Sequence, residues 1–344
     1  MHINWAQYLI PKINGACAFL INPLFIYIIM KDTKLQLGNY RYLLLYFTIF
    51  NMTCSLCDLL VPTGIHDYRY AFSIFISEGF FEQNSEFNNF MLMLRCSFIA
   101  GTYAILHAHF LYRFFILFNQ KLLATQFLPN GLCLSIIYCL GFMGYWIFFC
   151  QFLIDNDSER RLYIRQSFNE TYGRDSMKVP MLISLFSEGS PEAVRKSFIS
   201  IIAMTTLSVY SLIVYFVLGI TIIRKLNCQA LVMSQRTKRL QKQLMKALVV
   251  QSIIPTVVSF SPCLVSWYEA MFCLDFGRWL LEASVIAISA FPFLDPLALI
   301  CYVPTFRRRA KEIFGCRKKQ LQSNPQSVQI EDPRSSCYNT TTRI

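Results

Sequence analysis

Long apolar runs alternate with short polar intervals along the chain, and each run is long enough to cross a membrane as a helix. A hydrocarbon core about 30 Å thick needs roughly 20 apolar residues in a helix, because backbone groups in lipid must pair within the segment. Seven runs meet this requirement, and they cover residues 13–30, 42–64, 90–112, 130–154, 197–223, 247–268 and 279–303. The pattern therefore predicts an all-α membrane protein, a seven-transmembrane helix bundle whose membrane domain covers residues 1–303.

Composition agrees with this prediction and excludes a soluble protein. Of the 344 residues, 55% are hydrophobic and only 15% are charged, which is too apolar for a surface in water. A net charge of +12 is also typical of nucleic-acid-binding proteins. Here, however, the charges lie in short intervals between apolar runs, so we expect no nucleic-acid partner.

The distribution of Lys and Arg predicts the orientation of the bundle. One side of the membrane, formed by the first, third and fifth intervals between spans and the tail from Arg307 onward, holds 21 of these residues, and the opposite side holds 11. Because cytoplasmic segments carry the excess of Lys and Arg, we expect the C-terminus in the cytoplasm and the N-terminus outside. The long outer interval, residues 155–196, contains two N-glycosylation sequons at Asn156 and Asn169, of which Asn169 is favoured because Asn156 lies close to the membrane.

Several polar and aromatic residues lie near the outer face on three different predicted helices. A buried ionisable group in a membrane is costly unless it is paired or wetted, so each one is a candidate for function. An Arg with two carboxylates and aromatic neighbours is suited to orient a small polar ligand. The predicted ligand pocket comprises Arg95, Trp267, Glu269, Trp279 and Glu282. Interface anchoring explains these residues equally well, and Asp58, which lies deeper, suits polar packing.

Two spans carry features of a conformational switch. Arg113 closes the third span, where an arginine is able to exchange partners between two packings or to act as a simple cytoplasmic anchor. Pro296 follows Asp295 inside the seventh run and frees the carbonyl four residues earlier, while Pro255 predicts a bend in the sixth run. Gln251, one turn before Pro255, is placed to satisfy backbone groups that this bend frees.

The cytoplasmic extension of the sixth run combines a basic collar with an apolar stripe. Leucines recur at helical spacing from Leu240 to Leu248. The residues of this extension predicted to contact a cytoplasmic partner protein are Arg236, Lys238, Arg239, Leu240, Lys242 and Leu244.

The segment after the seventh run, residues 304–319, predicts a short amphipathic basic helix. Phe306, Ala310, Ile313 and Phe314 share one face, and the basic residues mostly face away from it. Such a helix lies on the inner leaflet and is attracted to anionic membrane lipid. Cys316 is a candidate for palmitoylation. The polar remainder, residues 320–344, predicts a disordered cytoplasmic tail.

Motifs of catalysis or of cofactor binding are absent from the sequence. There is no Gly-rich phosphate loop and no G-x-S-x-G, and the lone C-x-x-C at Cys54 and Cys57 lies inside a span without His at ligand spacing. We therefore expect neither enzymatic activity nor a cofactor or metal. A disulfide between any two of Cys96, Cys150 and Cys273, which lie near the outer face, stays open at this point.

Four motifs in order resemble the nematode serpentine chemoreceptors of the Str class and their Srd and Srj relatives. They are LGNYRYLLLYF at 37–47, HFLYRFF at 109–115, MSQRTKRLQKQLMKALVVQSIIP at 233–255 and FLDPLALICYVPTFRR at 293–308. The resemblance implies a G-protein-coupled receptor of the plasma membrane, expected in the sensory cilium of chemosensory neurons, which binds a small-molecule odorant or other chemical cue and activates a heterotrimeric G protein.

The resemblance also implies roles for matching positions. Tyr112 and Arg113 match the Tyr-Arg pair at the inner end of the third helix, and Asp295 and Pro296 stand where rhodopsin-like receptors carry Asn-Pro. The sequence departs from the wider superfamily in two ways, since its long outer loop has no Cys and no acid precedes Tyr112. The usual bridge to that loop and an acid-Arg lock within the third helix are therefore not expected.

If the family resemblance is set aside, the sequence leaves two other classes of membrane protein open. A transporter predicts internal repeats, and we find none that is convincing between the first and last spans. A ligand-gated channel subunit of the insect odorant-receptor type predicts a cytoplasmic N-terminus, against which the charge distribution argues. We therefore expect a receptor in which ligand binding moves the inner end of the sixth span.

Overall fold

The computed structural model describes residues 5–31, 38–118, 127–154, 158–228, 235–274 and 277–315. Its α-helices are α1 Trp5–Lys31, α2 Tyr40–Leu60, α3 Glu86–Phe118, α4 Leu132–Gln151, α5 Ser158–Tyr172, α6 Pro191–Cys228, α7 Gln235–Pro255, α8 Ser261–Met271, α9 Arg278–Tyr302 and α10 Pro304–Ile313. Its strands are β1 Thr63–Tyr68, β2 Ala71–Ile76 and β3 Met181–Leu185. A 3-10 turn, Ser176–Lys178, precedes β3, and π-helical turns are found at Phe127–Gly131 and Thr256–Phe260.

Seven helical segments are long and apolar enough to cross a membrane, so the predicted bundle is confirmed. They are α1, α2, α3, α4 together with the turn before it, α6, α7 together with α8, and α9. Several helices continue past the apolar runs, because polar residues also extend a helix once it leaves the hydrocarbon. The third span, for example, runs from Glu86 to Phe118, so Arg113 lies inside this helix and not at its end.

The sixth span is interrupted just after Pro255. The helix α7 ends at this proline, a π-helical turn follows at Thr256–Phe260, and α8 continues from Ser261, whose backbone N–H bonds the Thr256 carbonyl. Pro255 has no backbone N–H for the carbonyl four residues earlier and crowds that turn, so an irregular helix is expected near it. The irregularity lies where the sequence predicted a bend.

A small antiparallel sheet at one end of the bundle was not predicted, so the expected all-α description needs this correction. Its order is β1-β2-β3, with Phe75 opposite Gly64 on one side and Met181 on the other. Arg69, at φ 51°, lies in the two-residue turn between β1 and β2. The predicted second span ends at Leu60, and residues 63 and 64 belong to β1.

The helix α5 covers this sheet with a separate hydrophobic core. Ile164 and Phe168 of α5 are fully buried against Phe75 and Met181, and the rings of Phe75 and Phe168 meet edge to face at 4.9 Å. Arg161 of α5 is buried, and its Nη1 donates to the Ser176 and Val179 carbonyls at 2.7 and 2.6 Å. We call the end of the bundle at the sheet and α5 the sheet end, and the opposite end the α10 end.

The third span lies at the centre of the bundle, and α10 closes one end. Most side chains in the middle of α3 are buried among the other spans. At the α10 end, Phe306 is fully buried and packs edge to face on Phe25 of α1 at 5.3 Å. Arg307 and Arg308 are exposed on the other face of α10, as its sequence predicted. Burial of the one face fixes α10 against the bundle.

Candidate functional site

A cavity of about 420 Å³ opens at the sheet end, between β1, α5 and the neighbouring ends of the sixth and seventh spans. Its polar and ionisable lining residues are His66, Asp67, Tyr68, Arg69, Ser167, Thr171, Tyr172, Glu269 and Cys273. Its apolar lining includes Ile65, Ala270, Leu274 and Leu281. A concave site of this volume, with apolar walls and a few polar groups, is the usual form of a small-molecule binding site.

Two carboxylates from different elements line this cavity. Both carboxylate oxygens of Asp67 are shielded from solvent and accept no hydrogen bond from any described residue, whereas Glu269 is 5% exposed. Loss of hydration, and then the nearby Glu269 charge, raises the pKa of Asp67 to about 8. The sequence analysis missed Asp67, because a single Asp in a polar interval resembles a solvated loop residue.

The five residues of the predicted ligand pocket lie toward the sheet end but do not share one cavity. Glu269 lines the larger cavity, and Arg95 lines a narrower one of about 40 Å³ with Cys96, Cys263 and Ser284. Trp267 is buried against Trp146, with ring centroids 6.1 Å apart. Trp279 is 68% exposed and Glu282 is half-buried, and neither lines these two cavities.

Arg95 is engaged by a carboxylate other than the two that the sequence suggested. Its Nε forms a buried ion pair with Oδ1 of Asp58 on the second span, and each side chain is less than a tenth exposed. Burial removes water from both charges, and the short contact compensates for that loss. Asp58 thus has the polar packing role that its depth predicted, and it holds Arg95 between the second and third spans.

Arg113 is buried at the α10 end, where it connects three spans. Its Nη1 donates to Oε1 of Gln241 on the sixth span at 3.0 Å, and its guanidinium lies 3.8 Å from the ring centroid of Tyr40. Tyr112 packs on the same Tyr40 ring at 5.2 Å. The guanidinium is 3% exposed, so it does not extend outward as the anchor interpretation required. Hydrogen bonding and cation–π contact offset its loss of water.

Asp295 joins the second, sixth and seventh spans through its two carboxylate oxygens. Asn51 Nδ2 donates to Oδ2 at 3.2 Å, and Gln251 Nε2 donates to Oδ1 at 2.8 Å. All three side chains are buried, with Asp295 2% exposed. Gln251 therefore bonds the seventh span and not, as predicted, the backbone freed at Pro255. A buried carboxylate with charge-assisted hydrogen bonds to two spans links their positions.

The backbone carbonyl that Pro296 leaves without its helical donor is paired from the first span. Pro296 has no N–H for the Pro292 carbonyl, and Asn22 Nδ2 donates to that carbonyl at 3.0 Å. The same amide donates to the Ala18 carbonyl in its own helix at 2.9 Å. A side chain thus supplies the donor that the proline removes.

The predicted partner-contact residues of the sixth span have different surroundings. Arg236, Lys238, Arg239 and Leu240 lie in the first turns of α7, and their side chains are outside the described part of the chain. Lys242 is exposed, whereas Leu244 is 4% exposed and packs with Tyr112 and Leu299. Leu244 therefore does not offer a free contact surface in this packing, because it fills the core at the α10 end.

The predicted modification sites are only partly described. Asn169 is exposed on α5. Asn156, Cys316 and the predicted tail at 320–344 lie outside the described residues. Cys96 and Cys150 are buried, Cys273 is exposed, and all three are free cysteines.

The comparisons with known proteins agree on one kind of receptor. Residues 1–310 match the family described as serpentine type 7TM GPCR chemoreceptor Srj. Serpentine receptor class J-38 of Caenorhabditis elegans is 37% identical over 322 residues, which cover 93% of this chain and 96% of that protein. G-protein coupled receptor str-33 of the same organism is 25% identical over 309 residues, covering 86% and 87% of the two chains.

Squid rhodopsin has a similar fold. Its crystal structure aligns with a TM-score of 0.56 at 13% sequence identity and covers 90% of this chain and 85% of its own. At this identity the likeness concerns the arrangement of the helices, and the functional residues have to be judged from their own contacts.

Proposed function

The chain belongs to the Srj family of serpentine seven-transmembrane chemoreceptors, and from this premise we propose that it is a G-protein-coupled odorant or chemosensory receptor. A small extracellular chemical binds in the cavity at the sheet end, and a heterotrimeric G protein binds at the α10 end. The protein is a multi-pass membrane protein. We place the sheet end outside the cell, in agreement with the excess of Lys and Arg at the other end.

The observation that supports this proposal most directly is that the sixth span connects both ends of the bundle. Glu269 of this span lines the cavity, Gln251 bonds Asp295, and Gln241 accepts the hydrogen bond from Arg113. At 1.5 Å per residue, Gln241 and Glu269 lie roughly 40 Å apart along the span. The π-helical turn after Pro255 lies between them and is a position where the helix bends readily.

The mechanism is a shift between two packings of the bundle. In the packing described, Arg113 is held between Gln241 and Tyr40, and Leu244 fills the core beside Tyr112. A ligand favours a second packing only if it binds that packing more tightly. Movement of α7 away from α3 releases Arg113 and opens a basic cleft, formed with Arg236, Lys238, Arg239, Leu240 and Lys242, to the tail of a G-protein α-subunit.

The surface features support a receptor of the plasma membrane, which we place in the sensory cilium. The exposed Arg307, Arg308 and Lys311 of α10 attract anionic lipid of the inner leaflet. Palmitoylation of Cys316 adds a second attachment next to that helix. Exposed Asn169 is available for N-glycosylation on the outer side, with Asn156 as the second sequon.

The test is G-protein activation in a reporter cell exposed to a panel of volatile and water-soluble chemicals. Surface expression is matched between the wild type, Arg113→Ala and Arg308→Ala, an exposed arginine of α10 that serves as the control. We expect agonist responses in the wild type and the control and loss of response in Arg113→Ala, because in the proposed mechanism the released arginine itself contacts the G-protein α-subunit. Equal responses from Arg113→Ala contradict the switch, and an N-terminal tag found in the cytosol contradicts the orientation.

A further inference from the structure

The cavity at the sheet end has a distinct charge, and this charge indicates what it binds. We infer that Asp67 and Glu269 bind the ammonium group of a small organic amine between them. This inference rests on the proposed function only where it makes the amine an agonist, since binding itself is measurable on the isolated receptor. Four properties of the cavity support it.

The first property is an acceptor without a donor. The two carboxylate oxygens of Asp67 are out of contact with solvent, and no described residue donates a hydrogen bond to either. Buried polar atoms are nearly always hydrogen-bonded, and an exception in a cavity indicates a missing donor. An ammonium group provides three N–H donors and the positive charge that a carboxylate attracts.

The second property is the charge balance of the lining. Glu269 adds a second carboxylate, and Arg69 is the one Lys or Arg side chain among the lining residues. The Arg69 guanidinium lies 3.6 Å from the carboxylate of Glu188, which is not part of the lining. When Asp67 is ionised, the described lining carries two carboxylates and one guanidinium that lies beside a third carboxylate, and such a site favours a bound cation.

The third property is the shape and polarity of the remaining wall. A volume of about 420 Å³ admits a small molecule, and Tyr68 and Tyr172 provide aromatic rings near the carboxylates. Aromatic faces attract ammonium groups through the ring quadrupole. Ile65, Ala270 and Leu281 form an apolar wall for the hydrocarbon part of the ligand. The lining thus suits an alkyl- or arylamine better than a bare inorganic cation.

The fourth property is that the two carboxylates belong to different parts of the fold. Asp67 lies on β1, and Glu269 lies at the sheet end of the sixth span. An ammonium group that contacts both draws these elements together and favours the ionised form of Asp67, whereas without the amine Asp67 takes up a proton below its pKa of about 8. The amine therefore favours one position of the sixth span, as an agonist must.

The test uses the purified full-length receptor in detergent, with n-pentylammonium chloride as the probe at a pH above the pKa of Asp67. Binding is followed as the rise in the midpoint of thermal unfolding with probe concentration. Pentan-1-ol, which has the same chain without the charge, and sodium chloride at equal ionic strength are compared. We expect a saturable rise with n-pentylammonium alone. An equal rise with pentan-1-ol or with sodium chloride overturns the assignment of an organic ammonium ligand.

Variants identify the carboxylates that bind the probe. We expect Asp67→Asn and Glu269→Gln each to weaken apparent affinity about tenfold or more, as loss of a charge-assisted hydrogen bond does. Glu170→Gln is the matched control, because Glu170 is an exposed carboxylate on α5 beside the cavity. Unchanged affinity in both cavity variants overturns the inference. Asp67→Glu keeps the charge and retains binding, which separates charge from folding if Asp67→Asn is unstable.

Failure of this inference differs from failure of the proposed function. If the probe does not bind while Arg113→Ala still abolishes responses to other chemicals, the amine assignment falls and the receptor stands. If the probe binds with the expected variant pattern and no G protein is activated, the amine site stands and the proposed signalling function falls.

Discussion

Nη1 of Arg113 donates a hydrogen bond to Oε1 of Gln241 at 3.0 Å, and this contact ties the third span to the sixth. It takes the place of the acid-arginine lock within one helix, which the missing acid before Tyr112 rules out. Because the partner lies on the neighbouring span, breaking the contact frees the sixth span directly. In the mechanism that we propose, this neutral glutamine holds Arg113 in place until the sixth span moves.

Loss of the Gln241 contact is expected to raise basal signalling. A hydrogen bond to a charged group contributes about 1.5–3 kcal/mol, which corresponds to about a tenfold or larger change in a two-state equilibrium. We expect Gln241→Ala to increase basal G-protein activity by about tenfold, measured at equal surface expression. Gln243→Ala is the control, because two residues along a helix place its side chain on another face. Basal activity equal to that of the control argues against the contact as a latch.

The Asp295 contacts are expected to stabilise the bundle. Asp295→Ala leaves the buried amides of Asn51 and Gln251 without their acceptor, at a cost of about 1–3 kcal/mol for each unpaired group. We expect a clear fall in the thermal unfolding midpoint of the receptor in detergent. Asp295→Asn keeps one side-chain oxygen as an acceptor, so its midpoint is expected between those of the wild type and Asp295→Ala. Equal midpoints for all three proteins contradict the structural role.

The pairing of Asn22 with the Pro292 carbonyl of the seventh span is testable as a double-mutant cycle. Asn22→Ala leaves the Pro292 carbonyl without a donor, and we expect a loss of about 1–3 kcal/mol in the free energy of unfolding. Pro296→Ala restores a backbone N–H four residues after that carbonyl. The loss caused by Asn22→Ala is therefore expected to shrink in the Pro296→Ala background. If the losses of the two single variants, measured from unfolding midpoints, simply add in the double variant, the two sites are independent and the pairing is contradicted.

The raised pKa of Asp67 predicts a pH dependence of stability. Its pKa is about 8 in the folded protein and 3.8 for an unperturbed aspartate, so the folded state holds a proton that the unfolded state releases between these pH values. Stability from this group is complete below the lower value and is lost as pH rises through about 8. The titratable or charged groups beside it in the cavity are His66, Tyr68, Arg69, Tyr172, Glu269 and Cys273.

The measurement is the unfolding midpoint against pH for the wild type, Asp67→Asn and Asp175→Asn. We expect Asp67→Asn to lose part of the fall in stability toward high pH. The pKa shift of Asp175 has the opposite sign, because the Met177 N–H and Arg165 lower its pKa. Its contribution to stability therefore disappears as pH falls. A profile of Asp67→Asn that overlays the wild type at high pH contradicts the assignment to Asp67.

The seven spans were predictable because a membrane imposes a local condition on the chain. Each run has to be apolar over about 20 residues, and that condition is visible without knowledge of any other segment. The irregularity near Pro255 and the unpaired carbonyl before Pro296 were predictable for the same reason, since a proline lacks its N–H in every context. The family resemblance was also visible in four short motifs, and the match over residues 1–310 confirmed it.

The sheet and the contacts at the switch positions depend on residues far apart in the chain. Phe75 pairs with Met181, Arg113 with Gln241, and Asn22 with the Pro292 carbonyl. Short strands beside a span resemble its apolar continuation, so β1 and β2 were not recognised. The expected pocket gathered Arg95 and Glu269 because both lie near one membrane face, and depth alone does not determine which way a helix is turned.

The sequence by itself determined the number and approximate position of the spans, the places where prolines interrupt helical hydrogen bonding, and the family resemblance, because the membrane and the prolines act on each segment separately. Only the tertiary structure decided that Asp58 neutralises Arg95 and that Asp67 faces Glu269 in a cavity. These choices follow from helix rotation and strand pairing, which are settled by packing between distant segments and by the hydrogen bonds that burial requires.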